Sequence, residues 1–122
     1  MAATSAFEIP GLRFSLVSDT NNIKRHRFLS VVPNNGTVSL ANDTSAVVGV
    51  SMNQVDAANR PVEIADGIVI VEVASAVNAG SYVVSDNNGM AVASGNSGAD
   101  ASNYLALTTA DNAGQFISVK MF

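Results

Sequence analysis

The chain has 122 residues, only 13% of them charged, and a formal net charge of −4 at pH 7. This length fits one domain, and an acidic chain lacks the Lys and Arg surface on which nucleic-acid binding depends, so no nucleic-acid partner is expected. The absence of cysteine excludes disulfides and thiolate chemistry, no stretch reaches the ~18 apolar residues of a membrane span, and the first residues lack a secretory leader pattern, which favours synthesis in the cytoplasm.

The low fraction of charged residues also indicates what the protein surface consists of. Average soluble proteins have roughly 25% charged residues, so much of this surface must consist of Asn, Ser, Thr, Gly and Ala. Such a surface costs less to desolvate than one covered by Lys and Glu. The composition therefore indicates a protein that docks against neighbours over broad areas.

The N-terminal part predicts an arm followed by one domain. Residues 1–11 carry isolated apolar side chains in a small, polar stretch and are expected to form an extended arm. Residues 12–122 are expected to form a single β domain. Its first strand is predicted where Leu12, Phe14 and Leu16 alternate with polar residues.

Two further runs predict strands of the interior. The β-branched and apolar run of residues 28–32 ends at Pro33, which cannot donate a hydrogen bond to a neighbouring strand. The run GIVIVEV at residues 67–73 is almost continuously β-branched and predicts a central strand, buried on both faces except at Glu72. No window has the apolar spacing and caps of a helix, so an all-β fold is expected.

A weak internal repeat runs through the chain. The segment at residues 28–40 recurs at 81–93, and the segment at 48–64 recurs at 103–119. Each copy predicts a strand, an Asn-Asn-Gly turn, two strands, an Asp-containing loop and a strand. The repeat leaves three segments unmatched, which are residues 1–11, the KRHR run at 24–27 and a polar loop at 95–103.

The repeated Asn-Asn-Gly sequences predict two hairpin turns, because Asn and Gly tolerate the positive φ that tight hairpins require. Asn35 with Gly36 and Asn88 with Gly89 are the expected structural turn residues. Such turns position strands and do not supply catalytic groups.

The KRHR run is the main concentration of positive charge. Lys24, Arg25 and Arg27 are three of the six basic residues and form either a docking point for an acidic partner surface or a solvated strand edge that discourages unwanted pairing. His26 is the only histidine, and the surrounding cations disfavour its protonated form. No nucleophile or orienting acid accompanies it, so no catalytic residue is expected.

The acidic residues also favour structural interpretations. Asp56 and Asp111 occupy matching repeat positions beside Ala and Asn, as in turns where Asp bonds its own backbone. Asp86 begins a partial calcium-loop pattern that lacks the distal ligands. Glu63, Asp66 and Glu72 lack a fourth ligand, so neither a metal nor a cofactor is expected and the chain is not expected to be an enzyme.

From residue 28 to the end, the chain resembles the small capsid decoration, or cement, proteins of tailed bacteriophages. The resemblance is carried by AVVGVSM (46–52), RPVEIADGIVIVEV (60–73), NAGSYVVSDNNGMAV (78–92) and YLALTTADNAGQFISVKM (104–121). In that family a Gly-Val strand, an Ala-rich turn, a strand ending before Asp/Asn-Gly and a final Ala-rich turn recur in this order.

The resemblance implies a compact tulip-like or barrel-like β domain built of hairpins. It implies a homotrimer on the outer capsid surface of the virion, bound to the major capsid protein and stabilising adjacent capsomers. It also implies that the N-terminal arm completes a sheet on the capsid, with Phe7, Ile9, Pro10 and Leu12 as the capsid-binding residues.

Two questions stay open at the level of sequence. A closed barrel and an open sandwich fit the predicted strands equally. The functional alternative to a decoration protein is a β-sandwich module that binds glycans or a host surface on a virion or cell, although the chain has no Trp and two Tyr for stacking on sugars.

Overall fold

The computed structural model describes residues 6–20, 22–42, 46–94 and 104–121. These residues form nine strands, which are β1 (Ile9–Val17), β2 (Phe28–Val31), β3 (Val38–Leu40), β4 (Val47–Ser51), β5 (Pro61–Glu72), β6 (Val83–Ser85), β7 (Ala91–Ala93), β8 (Tyr104–Ala106) and β9 (Phe116–Met121). The expected all-β class is confirmed. None of the described residues forms a helix that could cross a membrane.

Strand β5 is the axis of the fold. Its twelve residues pair antiparallel with β1, β4 and β9, and Ile68 pairs with Ile9 across one edge and with Lys120 across the other. The main sheet has the order β3-β2-β4-β5-β9-β8, and β6 and β7 form a separate hairpin. The predicted central strand is therefore confirmed.

Burial on β5 differs from the prediction. The alternating residues Val69, Val71 and Val73 are fully buried, whereas Ile68 and Ile70 on the other face are only half-buried. The expectation that both faces are buried apart from Glu72 is therefore wrong for this half of the strand, because the described residues only partly cover its second face.

The internal repeat is a duplication of backbone geometry. The parallel bridge between Ser18 and Val38 recurs between Val73 and Ala91, and an antiparallel bridge between residues 23 and 55 recurs between residues 77 and 110. The first half runs from β1 into the start of β5, and the second half runs from the end of β5 to β9. The two halves thus share one strand.

The duplication includes the KRHR run, which has no match at the level of sequence. His26 adopts a φ of 65° and Gly80 a φ of 89°. The N–H of His26 donates to the carbonyl of Ser51, and the N–H of Gly80 donates to that of Ala106. Because the paired positions share no residue identity, only the backbone reveals that the two turns correspond.

Each half has its own core, and a joint connects the halves. One cluster contains buried residues of the first half such as Leu29, Val62 and Ile64. The other contains the second half's Val71 and Ile117 together with residues that the first half contributes. The sheet order is open, and isolated bridges add further links within each half, Ser18–Val38 in the first and Val73–Ala91 and Tyr82–Leu105 in the second.

The joint between the halves centres on Phe28. This side chain is fully buried, its ring lies 5.4 Å from that of Tyr104, and its N–H donates to the carbonyl of Gly89 at 2.7 Å. A second backbone bond joins the N–H of Glu72 to the carbonyl of His26 at 3.0 Å. The β6–β7 turn and the KRHR turn are therefore both part of the joint.

The β domain begins earlier in the chain than the sequence predicted. Strand β1 begins at Ile9, and Ile9 and Pro10 pair with Ile68 and Gly67. The predicted boundary between residues 11 and 12 lies inside this strand, because β5 is long enough to pair with residues that were assigned to the arm. Residues 1–5 and the predicted loop at 95–103 lie outside the described residues.

Candidate interaction surface

Strand β1 presents an apolar edge. Among the described strands it pairs only with β5, so before the Ser18–Val38 bridge that follows the strand, its other edge can pair with a further strand. Ile9 is 62% exposed, Leu12 59% and Val17 41%. Exposed large apolar side chains along an unpaired edge are a feature of strand-mediated association.

A bulge sets the position of Leu12. The register of β1 against β5 shifts between Pro10 and Arg13, and the N–H of Leu12 donates to Oδ1 of Asp66 at 2.8 Å. Gly67 has a φ of 93°, and a Cβ at this position would lie 2.4 Å from the backbone N of Gly11. The close backbone approach thus requires glycine and holds the bulge in place.

The residues before β1 lie over one face of the sheet. The N–H of Phe7 donates to Oγ of Ser118, and this hydroxyl donates to the carbonyl of Phe7. Phe116 lies two positions from Ser118 on β9 and therefore points to the same face of the sheet. Ile9 also points to this face, because its partner Ile68 pairs with Lys120, which lies two positions beyond Ser118. Phe7 and Phe116 are 44% and 43% exposed.

We call Phe7, Ile9, Leu12 and Phe116 the apolar surface. Phe7, Ile9 and Leu12 were predicted as capsid-binding residues of an arm, and the structure places them against or within the β domain. Pro10, the fourth of these residues, is half-buried. Phe116 was not singled out from the sequence. Its signal is the alternation in β9, where Ile117 and Val119 are buried and the residues between them face the other way.

The basic run divides into exposed and buried parts. Lys24 and Arg25 are exposed, whereas the side chain of Arg27 is only 8% exposed and pairs with Glu72 at 3.3 Å. Arg27 also donates through Nη1 to the carbonyl of Asn88 at 3.0 Å. The assignment of Arg27 to a docking patch is therefore wrong, because its charge is used inside the joint.

His26 belongs to the joint between the halves. Its half-buried ring meets that of Phe116 edge-on at 5.2 Å. Burial lowers the pKa of His26, and the neighbouring charge of Arg25 lowers it further, against opposing effects of Glu8, the Ile70 backbone and Glu72. The sequence predicted a disfavoured proton, but the main cause is desolvation.

The candidate acidic residues serve local structure. Oδ1 of Asp86 accepts the N–H groups of Asn88 and Met90 at 2.8 and 2.9 Å, so this oxygen is used by the β6–β7 turn. Glu63 forms an ion pair with Arg13, and Glu72 forms a separate ion pair with Arg27. In the part of the chain that the structure describes, no three His, Cys, Asp or Glu residues are grouped so that they could hold a metal ion.

The two Asn-Gly sequences occupy equivalent hairpin turns. Gly36, between β2 and β3, has a φ of 68°, and Gly89, between β6 and β7, has a φ of 75°. In the first turn Asn34 also has a positive φ, at 67°. The surroundings differ, because Gly36 is exposed and Gly89 is buried against the joint.

Comparison with known proteins yields a structural match without a sequence family. No protein-family model matches the chain, and no curated protein matches it. The chain is similar to the crystal structure of the head fiber gp8.5 N base of bacteriophage phi29, with a TM-score of 0.73 over 91% of this chain and 95% of that one. The two chains share a fold. Their sequences are 16% identical, so the likeness concerns the fold alone.

Proposed function

We propose that this chain is a non-enzymatic structural protein on the outer surface of a tailed-phage capsid. There it binds the major capsid protein and stabilises adjacent capsomers. The observation that carries the proposal is the exposed apolar edge of β1 on a fold shared with a phage head fiber base. The low charge and broad polar surface agree with this role.

The proposed contact is strand addition. A capsid strand pairs with the free edge of β1, and Ile9 and Leu12 enter pockets of the capsid protein. Full burial of such a side chain contributes about 1.5–3 kcal/mol. Because Ile9 and Leu12 are already partly buried, each contributes about 1 kcal/mol on docking.

Stabilisation of the capsid then follows from mass action. A protein that binds only the mature lattice favours that lattice, and many bound copies multiply the effect. We propose a homotrimer as the bound form. Lys24 and Arg25 are exposed cations that would approach an acidic capsid surface, and their main effect is on the association rate.

The test compares binding of variants to heads assembled without this chain. The double variant Ile9→Ser and Leu12→Ser is expected to bind about 30-fold more weakly, from about 1 kcal/mol lost at each position. Val31→Ser is the control, because Val31 is 43% exposed and lies on β2, away from the edge. Equal binding by the two variants contradicts the role of β1.

Stabilisation of the capsid and the oligomeric state of the chain are measured in separate experiments. Heads with the bound chain are expected to retain DNA on heating better than heads without it, and equal retention contradicts a stabilising role. Light scattering of the free chain and of chain released from heads measures the trimer. No contact among the described residues favours the glycan-binding alternative, and specific binding on a glycan array would overturn our choice.

A further inference from the structure

The two hairpin turns present the same Asn-Gly dipeptide in contrasting surroundings. Around Gly36 there is open space, because a Cβ at this position would meet nothing within 4 Å. In the described part of the chain, the N–H of Gly36 and the side-chain amide of Asn35 have no hydrogen-bond partner. The backbone N–H of Asn35 bonds to the carbonyl of Val32.

The second turn is held by several bonds to its backbone. The N–H of Asn88 donates to Oδ1 of Asp86, and its carbonyl accepts a bond from Arg27. Gly89 donates to the carbonyl of Asp86 at 3.4 Å and accepts from the N–H of Phe28 at 2.7 Å. Rotation of the Asn88–Gly89 peptide therefore disrupts the joint between the halves.

We propose that Asn35 is a site of spontaneous deamidation, while Asn88 is protected by the fold. The backbone nitrogen of Gly36, after loss of its proton to water, attacks the side-chain carbonyl carbon of Asn35 and expels ammonia. A five-membered cyclic imide forms. Water then opens the imide at either carbonyl, which gives aspartate or isoaspartate. The reaction consumes one water and releases one ammonia, with no oxidant or reductant.

The environment of Asn35 suits this chemistry for two reasons. Glycine has no side chain to hinder the approach of its nitrogen, and its backbone rotates most easily. The attacking nitrogen also gives up no hydrogen bond within the fold. At Asn88 the bonds to Asp86, Arg27 and Phe28 must open before the ring can close, which slows the reaction by about tenfold or more.

The product changes the tip of the first hairpin. Each event replaces a neutral amide with a carboxylate, and the isoaspartate form adds a methylene to the backbone of the turn. The new charge lies two residues before Thr37, whose hydroxyl donates to Oδ1 of Asp19. A particle that carries many copies of the chain therefore becomes more negative with age at this tip.

The test is peptide mass spectrometry of the folded chain during storage at mildly alkaline pH. Asn35 is expected to convert at least about tenfold faster than Asn88, and a sample unfolded in urea is expected to convert both at equal rates. Equal rates in the folded chain, faster conversion of Asn88, or no conversion of Asn35 when the unfolded sample reacts would each overturn the proposal.

Variants at the two turns provide the controls. Asp86→Ala removes the acceptor of two turn N–H groups and is expected to accelerate conversion of Asn88 without changing Asn35. Asp19→Ala is the matched change beside the first turn and should leave Asn88 protected. If Asp86→Ala accelerates both sites equally, the protection is a property of overall stability and the local explanation is wrong. Head binding plays no part in this experiment, so its outcome is independent of the proposed function.

Discussion

Substitution of the two hairpin glycines by alanine isolates the energy of the joint between the halves. Gly36 and Gly89 share the left-handed φ region and the same position in equivalent turns. A Cβ at Gly36 meets open space, whereas a Cβ at Gly89 would lie 2.7 Å from the carbonyl oxygen of Phe28 and 3.2 Å from Cβ of Arg27. The tertiary surroundings are therefore the main difference between the two substitutions, beside the positive φ of Asn34 in the first turn.

The expected magnitudes follow from separate contributions. A non-glycine residue in the left-handed region costs about 1–2 kcal/mol, and reduced freedom of the unfolded chain offsets about 0.4–1 kcal/mol. Gly36→Ala should thus destabilise by about 1 kcal/mol. Gly89→Ala adds overpacking of about 1–3 kcal/mol and weakens the bond from Phe28 by about 1 kcal/mol. The expected difference between the variants is about 2–4 kcal/mol.

Denaturant unfolding measures this difference directly, provided that both variants retain the slope of the parent chain. In thermal unfolding, 1 kcal/mol corresponds to about 3–5 °C for a chain of this size. Equal free energies of unfolding for the two variants, within about 0.5 kcal/mol, would refute the reasoning. That result would mean that the β6–β7 turn is not held against Phe28 in solution.

Two further predictions concern the KRHR turn. NMR titration of His26 should give a pKa below 6.5, and Glu8→Gln should lower it further because the Glu8 carboxylate favours the proton. Stability should fall as pH drops below 6.5, because the unfolded chain then binds a proton that the folded chain resists; a pKa at or above 6.5 contradicts this. Arg27→Ala should cost about 2–3 kcal/mol by leaving the Glu72 charge partly buried and unpaired. Arg25→Ala at an exposed position should cost less than about 0.5 kcal/mol, and equal losses would contradict the assigned roles.

The sequence predicts the strands well where alternation and turn chemistry agree. Residues 67–73 become the central strand because β-branched residues suit a strand with neighbours on both edges. The Asn-Asn-Gly sequences become hairpin turns because they supply a residue with positive φ. These signals are local, so they can be recognised without knowing the rest of the fold.

The candidate surface was predictable only in part, because its features depend on contacts distant in sequence. Ile9 joins β1 because β5 extends far enough to pair with it. Arg27 is withdrawn from the surface by Glu72 and Asn88, which lie 45 and 61 residues away. Nothing in the KRHR sequence itself distinguishes Arg27 from Arg25, which lies two positions earlier.

The shared strand also limits how many times the plan can be repeated. On β5, Ile64 pairs with Phe14 and Ser51, and Ile68 pairs with Ile9 and Lys120. Strands β4 and β9 therefore lie along the same edge of β5, one after the other. A third unit that shared β9, as the second shares β5, would run into the space that β4 occupies. Unlike a solenoid, in which each repeat leaves room for the next, this arrangement of units is complete at two.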